Sequence, residues 1–214
     1  QGLSLGKTGV SLWINNKKIS EIKGELIFTH FGLSGPAIIN LSRYAVKDID
    51  KEQSVEIRLD LYPQYDEQRL DFKMQDDIGK HGKMKIDNLF KLWLPAKMAD
   101  FFAEELKIDR ELTAHQFSAE MRKRTRNLMK SLRFKIIGHR SFKEAIVTAG
   151  GISTKEIHSK TMQSRIVPNL FFAGEILDLD GDTGGYNLQI AYSTGWLAGE
   201  SAASNLYRKQ RSLA

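Results

Sequence analysis

The sequence predicts an α+β chain, with a strand-rich first part, a helical run set into it, and a closing strand, loop and helix. Three observations predict this. Apolar and polar residues alternate over Val10 to Ile14 and over Val55 to Leu61, the two-residue period of half-buried strands. From Asp66 to about Ser131 the apolar spacing becomes helical, through Leu89, Leu92, Trp93, Phe117, Met121, Leu128 and Leu132. Near the end, the apolar run Leu170 to Ala173 leads through a loop rich in Gly and Asp into a stretch striped with Ala and Gly.

Taken in order, Val10 to Ile14 and Lys18 to Ile22 flank Asn15-Asn16, a pair suited to a hairpin turn. Glu25 to Phe28 predicts a further strand. Ser34 is a plausible N-cap and Pro36 a first-turn residue for a helix over Ala37 to Tyr44. Val55 to Leu61 is a strand that stops before Pro63. The middle run divides into four or five short helices, with connectors at Gly79 to Gly82, Pro95, and Lys107 to Asp109. Strand character returns at Phe134 to Ile137 and at Glu144 to Thr148, which meets Ala149-Gly150-Gly151. The last helix is expected from about Asn187 to Asn205, with a polar tail that frays after Tyr207.

Composition excludes several classes of function. The chain has no cysteine, which removes disulfides, thiolate nucleophiles and Cys-based zinc or iron-sulfur sites. The five histidines never recur at the spacing of a local metal site, so no metal is expected. No apolar run approaches the roughly 18 residues that suggest a membrane span, and no secretory signal opens the chain. A cytoplasmic protein without a membrane partner is expected. The start at Gln1 reads as cut rather than natural.

The net charge of +6 is local in origin. Arg122, Lys123, Arg124, Arg126, Lys130, Arg133, Lys135 and Arg140 share one acid-free stretch, and the remainder of the chain is net acidic. That stretch could track phosphates. Basic residues on a short helical insert are more often a solvated face or paired with an acidic neighbour, such as the loop at Asp178, and nucleic acid is not the favoured partner.

The segment Gly174 to Gln189 carries the chemistry. Glu175, Asp178, Asp180 and Asp182 crowd eight residues, and Gly184-Gly185 then opens a helix. Glycines there allow close backbone approach, while the free N–H groups and the helix dipole favour an electron-rich partner. A calcium loop fails on spacing, because Thr183 and Gln189 stand where the EF-hand template needs Gly and Glu. An acidic solvated loop with a Gly-Gly turn remains the competing explanation.

Thr148-Ala-Gly-Gly-Ile, Pro168-Asn-Leu-Phe-Phe-Ala-Gly-Glu-Ile-Leu-Asp-Leu-Asp-Gly and Gly184-Gly-Tyr-Asn-Leu-Gln closely resemble the C-terminal signature of the YhiN-type, or aminoacetone-oxidase-like, FAD-binding flavoproteins. Phe28-Thr-His-Phe-Gly-Leu-Ser-Gly-Pro-Ala37 resembles a second signature of that family, and the likeness spans nearly all the chain. The resemblance implies a strand-rich, barrel-like insert domain over residues 1–65, with its return strand at 134–144. It further implies a helical-array insertion over 66–133 and the C-terminal strand-loop-helix part of a Rossmann-type FAD domain over 145–214. A complete member also begins with a Gly-x-Gly-x-x-Gly turn for the pyrophosphate. Here Gly2, Gly6 and Gly9 are wrongly spaced for one.

The implied activity is that of a flavin-dependent oxidoreductase with FAD as cofactor, NAD(P)H as a candidate electron donor, and a small organic substrate. The implied partner is the missing N-terminal half of the FAD domain, without which the 214 residues are expected to be inactive and to hold FAD weakly or not at all. By resemblance, Glu175 meets ribityl or nearby hydroxyls, with Asp182 the next candidate. Gly184, Gly185, Tyr186 and Asn187 present N–H groups to the flavin N1/O2 edge, with Gly174 in the strand end before them. Thr148, Gly150 and Gly151 line the ring system from the opposite direction. His30, inside the second signature, is a candidate for substrate binding or proton transfer, against a packing or turn-stabilising role. The rival function is an RNA- or protein-binding module acting through the basic helical insert.

Overall fold

The computed structural model describes residues 2–211, with side chains through residue 205. It divides into two compact units, Gln1–Gly138 and His139–Ala214.

The first unit is built on β1 (Leu3–Ile14) and β2 (Lys17–Phe28), an antiparallel hairpin longer than the sequence pattern predicts. Asn15 and Asn16 turn it with φ of 49° and 64°, the left-handed pair that a two-residue turn between twisted strands requires. The strand expected at Glu25 to Phe28 is the continuation of β2. Gly24 does not interrupt it, and a Cβ there would already touch Ala37 at 3.4 Å. β3 (Leu33–Ser34), β4 (Val55–Asp60) and β5 (Leu132–Ile136) complete a curled antiparallel sheet in the order β3-β2-β1-β4-β5. Val10, Leu12 and Ile14 face Leu59, Ile57 and Val55 across the β1–β4 ladder, and all six side chains are buried.

The helix α1 (Pro36–Asp50) lies against this sheet through Ala37, Leu41 and Ala45. Ser34 is not its N-cap, contrary to expectation. It pairs with Ile27 in β3, and Gly35 takes the cap position with φ of 95° and no side-chain cap bond. A Cβ on Gly35 would come within 3.1–3.2 Å of the β2 backbone at Glu25, Leu26 and Ile27. Glycine is what lets the helix start so close to the strand.

Four helices follow: α2 (Glu67–Lys80), α3 (Ile86–Trp93), α4 (Ala96–Glu105) and α5 (Ala119–Lys130), with a single 3₁₀ turn at Ala114–Gln116. Asp66 caps α2 by accepting the Arg69 N–H, and Ser118 caps α5 by accepting that of Met121. Their apolar faces, including Leu70, Met74, Leu89, Phe90, Phe102 and Met129, join the sheet residues in one core. Burying each of these large side chains stabilises the fold by about 2 kcal/mol.

The basic stretch holds α5 in place. Arg122 and Arg126 converge on Asp71 of α2 at 3.0 and 3.3 Å, and Arg126 also approaches Glu67 at 3.5 Å. Arg124 donates to the Leu106 carbonyl, and Lys130 reaches Asp60 at 2.6 Å as well as the carbonyls of Tyr62 and Tyr65. Arg140 pairs with Glu144.

In the second unit, the strand expected at Glu144 to Thr148 does not form, and Leu170 to Ala173 is reduced to one bridge, Phe171 to Gln163. The final helix, α6 (Tyr186–Arg211), begins one residue before Asn187 and continues beyond Asn205. The tail expected to fray is therefore helical through Arg211, and its last three residues lie outside the described ones. The core of this unit is thin: Ile157, Met162, Leu177 and Ala198. No helix among the described residues is long and apolar enough to cross a membrane.

Candidate functional site

The second unit brings the separate signature segments together. Ile152 donates its N–H to the Ile176 carbonyl and Asp178 donates to the Ile152 carbonyl, each at 2.9 Å, which lays the chain after Gly150-Gly151 parallel to Glu175–Leu177. Gly151, at φ 134°, makes this possible, because a Cβ there would stand 2.4 Å from the Ile176 carbonyl oxygen. Gly150, at φ 98°, has nothing within 4 Å of a Cβ and leaves its backbone open to approach. Thr148 is exposed beside it.

Gly174 opens a 3₁₀ turn over Gly174–Ile176. Its N–H is committed to the Thr194 hydroxyl at 2.9 Å, and that hydroxyl in turn donates to the Ile190 carbonyl. Thr194 thus ties the turn to the middle of α6. Sequence reasoning missed it, and the only available signal was the habit of helical Thr of bonding back to the carbonyl four residues earlier. Glu175 is exposed on the turn.

At the start of α6 the side chain of Asn187 is also committed, accepting the Gly181 N–H at 2.8 Å and donating to the Gly181 carbonyl at 3.0 Å. This pins the acidic loop against the helix, and Gly181 fits because a Cβ there would meet that of Tyr186 at 3.1 Å. Asp182 is exposed on that loop. Gly184 and Gly185 have φ of 114° and 95°, and the space a Gly185 Cβ would occupy is empty to 4 Å. The helix leaves its first N–H groups, from Tyr186 on, without intrahelical acceptors. Tyr186 is 64% exposed, so its ring does not cover them by packing into a core. The arrangement can hold an electron-rich edge against a glycine-lined backbone.

His30 belongs to the first unit, on an exposed turn that Thr29 closes by bonding the Gly32 carbonyl through both its N–H and its hydroxyl. Its ring meets Phe31 edge-on at 5.0 Å.

The half-barrel and helical array match the model of the HI0933-like protein barrel and H2TH domain over residues 1–147. The chain belongs to the HI0933-like family. It is 30% identical over 80% of its length to 40% of the ribosomal RNA dihydrouridine synthase of Escherichia coli. To the Haemophilus influenzae protein of the same name it is 34% identical, again over 80% of the chain and 40% of that protein. To the 3-dehydro-bile acid delta(4,6)-reductase of Clostridium scindens it is 27% identical, over 91% of the chain and 47% of that protein. The chain spans less than half the length of these relatives.

Proposed function

We propose that this chain contributes the flavin-edge and ribityl contacts of an FAD-dependent oxidoreductase that saturates a carbon-carbon double bond conjugated to a carbonyl, with NAD(P)H as the electron donor. The observation that carries the proposal is the opening of α6, where two left-handed glycines present unobstructed backbone beside helix N–H groups. Those groups favour negative charge, and negative charge is what the pyrimidine edge of a flavin acquires on reduction. Gly150 supplies a second open backbone surface, and Glu175 and Asp182 supply exposed carboxylates for hydroxyl groups.

FAD, when bound, supplies the hydride. The chain's own residues orient it: Thr194 fixes the turn bearing Glu175, Asn187 fixes the loop bearing Asp182, and Gly151 fixes the segment bearing Gly150. The names of the relatives share one chemistry. Dihydrouridine is a uracil saturated at a double bond conjugated to a carbonyl, and a 3-dehydro delta(4,6) steroid is a conjugated dienone. In either case hydride adds to the carbon remote from the carbonyl and a proton to the nearer one.

The thin core of the second unit, together with the exposed Leu188, Tyr192 and Trp196 at successive turns of α6, favours a flavin domain completed by a segment outside these 214 residues. The test is flavin content of the whole protein. Gly185→Val should abolish the flavin absorbance of the purified protein while leaving its helical circular dichroism intact. Full flavin occupancy in that variant would refute the proposed site.

A further inference from the structure

Within the acid-free stretch, Arg122, Arg124, Arg126, Lys130 and Arg140 are taken up by partners in the chain, whereas Arg133 and Lys135 are not. Both lie exposed on β5, and among the described residues neither side chain makes a hydrogen bond or an ion pair. The carboxylates of the neighbouring strand β4 are already spent. Glu56, opposite Lys135, is held by Arg58 at 2.9 Å, and Asp60 by Lys130 at 2.6 Å.

β5 is also the last strand of its sheet. It pairs with β4 in unbroken register, from Leu132 opposite Leu59 to Ile136 opposite Val55, and no strand among the described residues pairs with its other side. Alternate backbone N–H and C=O groups along that edge are therefore open to a further strand. Neither a proline nor a bulge interrupts them. The rotation of β5 is fixed as well. Phe134 meets the ring of Phe28 of β2 edge-on at 5.6 Å, which keeps Phe134 on the core side and Arg133 and Lys135 on the outer one.

We infer that the free edge of β5 takes up an extended acidic peptide segment as a further strand, with carboxylates at alternate positions beside Arg133 and Lys135 and apolar residues between them beside Phe134 and Ile136. Backbone hydrogen bonds supply the docking, and the alternating charge supplies the selectivity. A second copy of β5 fits poorly, because antiparallel pairing would set these cations against their own counterparts. A nucleic-acid strand lacks the repeating N–H and C=O groups that the edge matches. The indole on this side of the sheet, Trp13, already has one face covered by Arg58 at 3.8 Å. The site draws only on residues of the first unit and stands independently of the flavin proposal.

Hydrogen exchange and fluorescence anisotropy on the whole protein test it. The probes are the labelled peptide Thr-Glu-Val-Glu-Val-Glu-Thr, its counterpart with lysine in place of glutamate, and an oligouridylate. Before any addition, alternate amides of residues 132–136 should exchange rapidly; uniform protection would mean that the edge is already covered and would overturn the inference. The acidic peptide should bind and slow those amides. The double variant Arg133→Glu, Lys135→Glu alters only exposed side chains. It should bind the acidic peptide about tenfold more weakly and take up the lysine peptide in its place. Absence of acidic-peptide binding, binding that leaves the β5 amides unprotected, equal binding of the lysine peptide by the unaltered protein, tighter binding of the oligouridylate at this edge, or an unchanged affinity in the double variant would each overturn it. Flavin content is unaffected in every arm, so failure here is distinguishable from failure of the flavin site.

Discussion

The side-chain amide of Asn187 grips Gly181 at both backbone groups, taking its N–H at 2.8 Å and giving a hydrogen to its carbonyl at 3.0 Å. One residue of the helix therefore fixes the loop that precedes it. Asn187→Ala should cost about 1 kcal/mol and raise the hydrogen-exchange rate of the Gly181 amide. Asn187→Asp, which keeps the acceptor and loses the donor, should restore part of the protection. Unchanged exchange in the alanine variant would show that the loop is held by other means.

Gly150 and Gly151 should respond differently to the same substitution. Both have positive φ, but only Gly151 is packed on a carbonyl oxygen, at 2.4 Å from its would-be Cβ. Gly151→Ala should destabilise the second unit by about 2–3 kcal/mol and Gly150→Ala by about 1 kcal/mol. Limited proteolysis, read by the appearance of cuts between residues 139 and 180, distinguishes them.

Asp71 should anchor α5 to α2 in a pH-dependent way. Burial pushes its carboxyl up, but hydrogen bonds from Arg122 and Gln75 and the charges of Arg122 and Arg126 outweigh that and hold it below its ordinary 3.8. A depressed carboxyl contributes stability above its unfolded value and loses it as the pH falls through the folded one. Asp71→Asn should cost about 2 kcal/mol at neutral pH. In urea titrations the gap between wild type and variant should stay constant down to about pH 5 and close below about pH 4.

Tyr62 gives the opposite sign. Burial first, and then the charge of Asp77, push its phenol up from 10.0 to about 12. Its contribution to stability is complete below pH 10 and is lost as the pH climbs through about 12. An alkaline ultraviolet titration should show a late phenol ionisation near pH 12. Tyr62→Phe should remove that late step and cost about 1 kcal/mol through the lost bond to the Trp93 carbonyl.

The first unit was largely legible in the sequence. Alternation at Val55, Ile57 and Leu59 gave β4, the two asparagines gave the hairpin turn, and the change to helical spacing gave the array, though not its caps at Asp66 and Ser118. Other features depend on distant partners and were hidden. Ser34 looks like a cap by type, but pairing with Ile27 claims its backbone. The bulge at Gly6 and Lys7 is visible only in the register against β2. Leu170 to Ala173 has the composition of a strand, yet a strand exists only by pairing, and among the described residues it finds a single bridge. In the candidate site the glycines were legible because their conformations leave few alternatives. Thr194 was not, because nothing local marks which helical threonine a distant turn will use.

The pairing of Leu59 with Leu132 brings together positions separated by the whole helical array. Closing so long a span costs chain entropy before any contact repays it. The α2–α5 docking through Asp71 shortens that span once the helices have formed. The β4–β5 ladder therefore depends on the inserted helices more than any other pairing in the sheet does, and loosening α2 from α5 is expected to weaken it first.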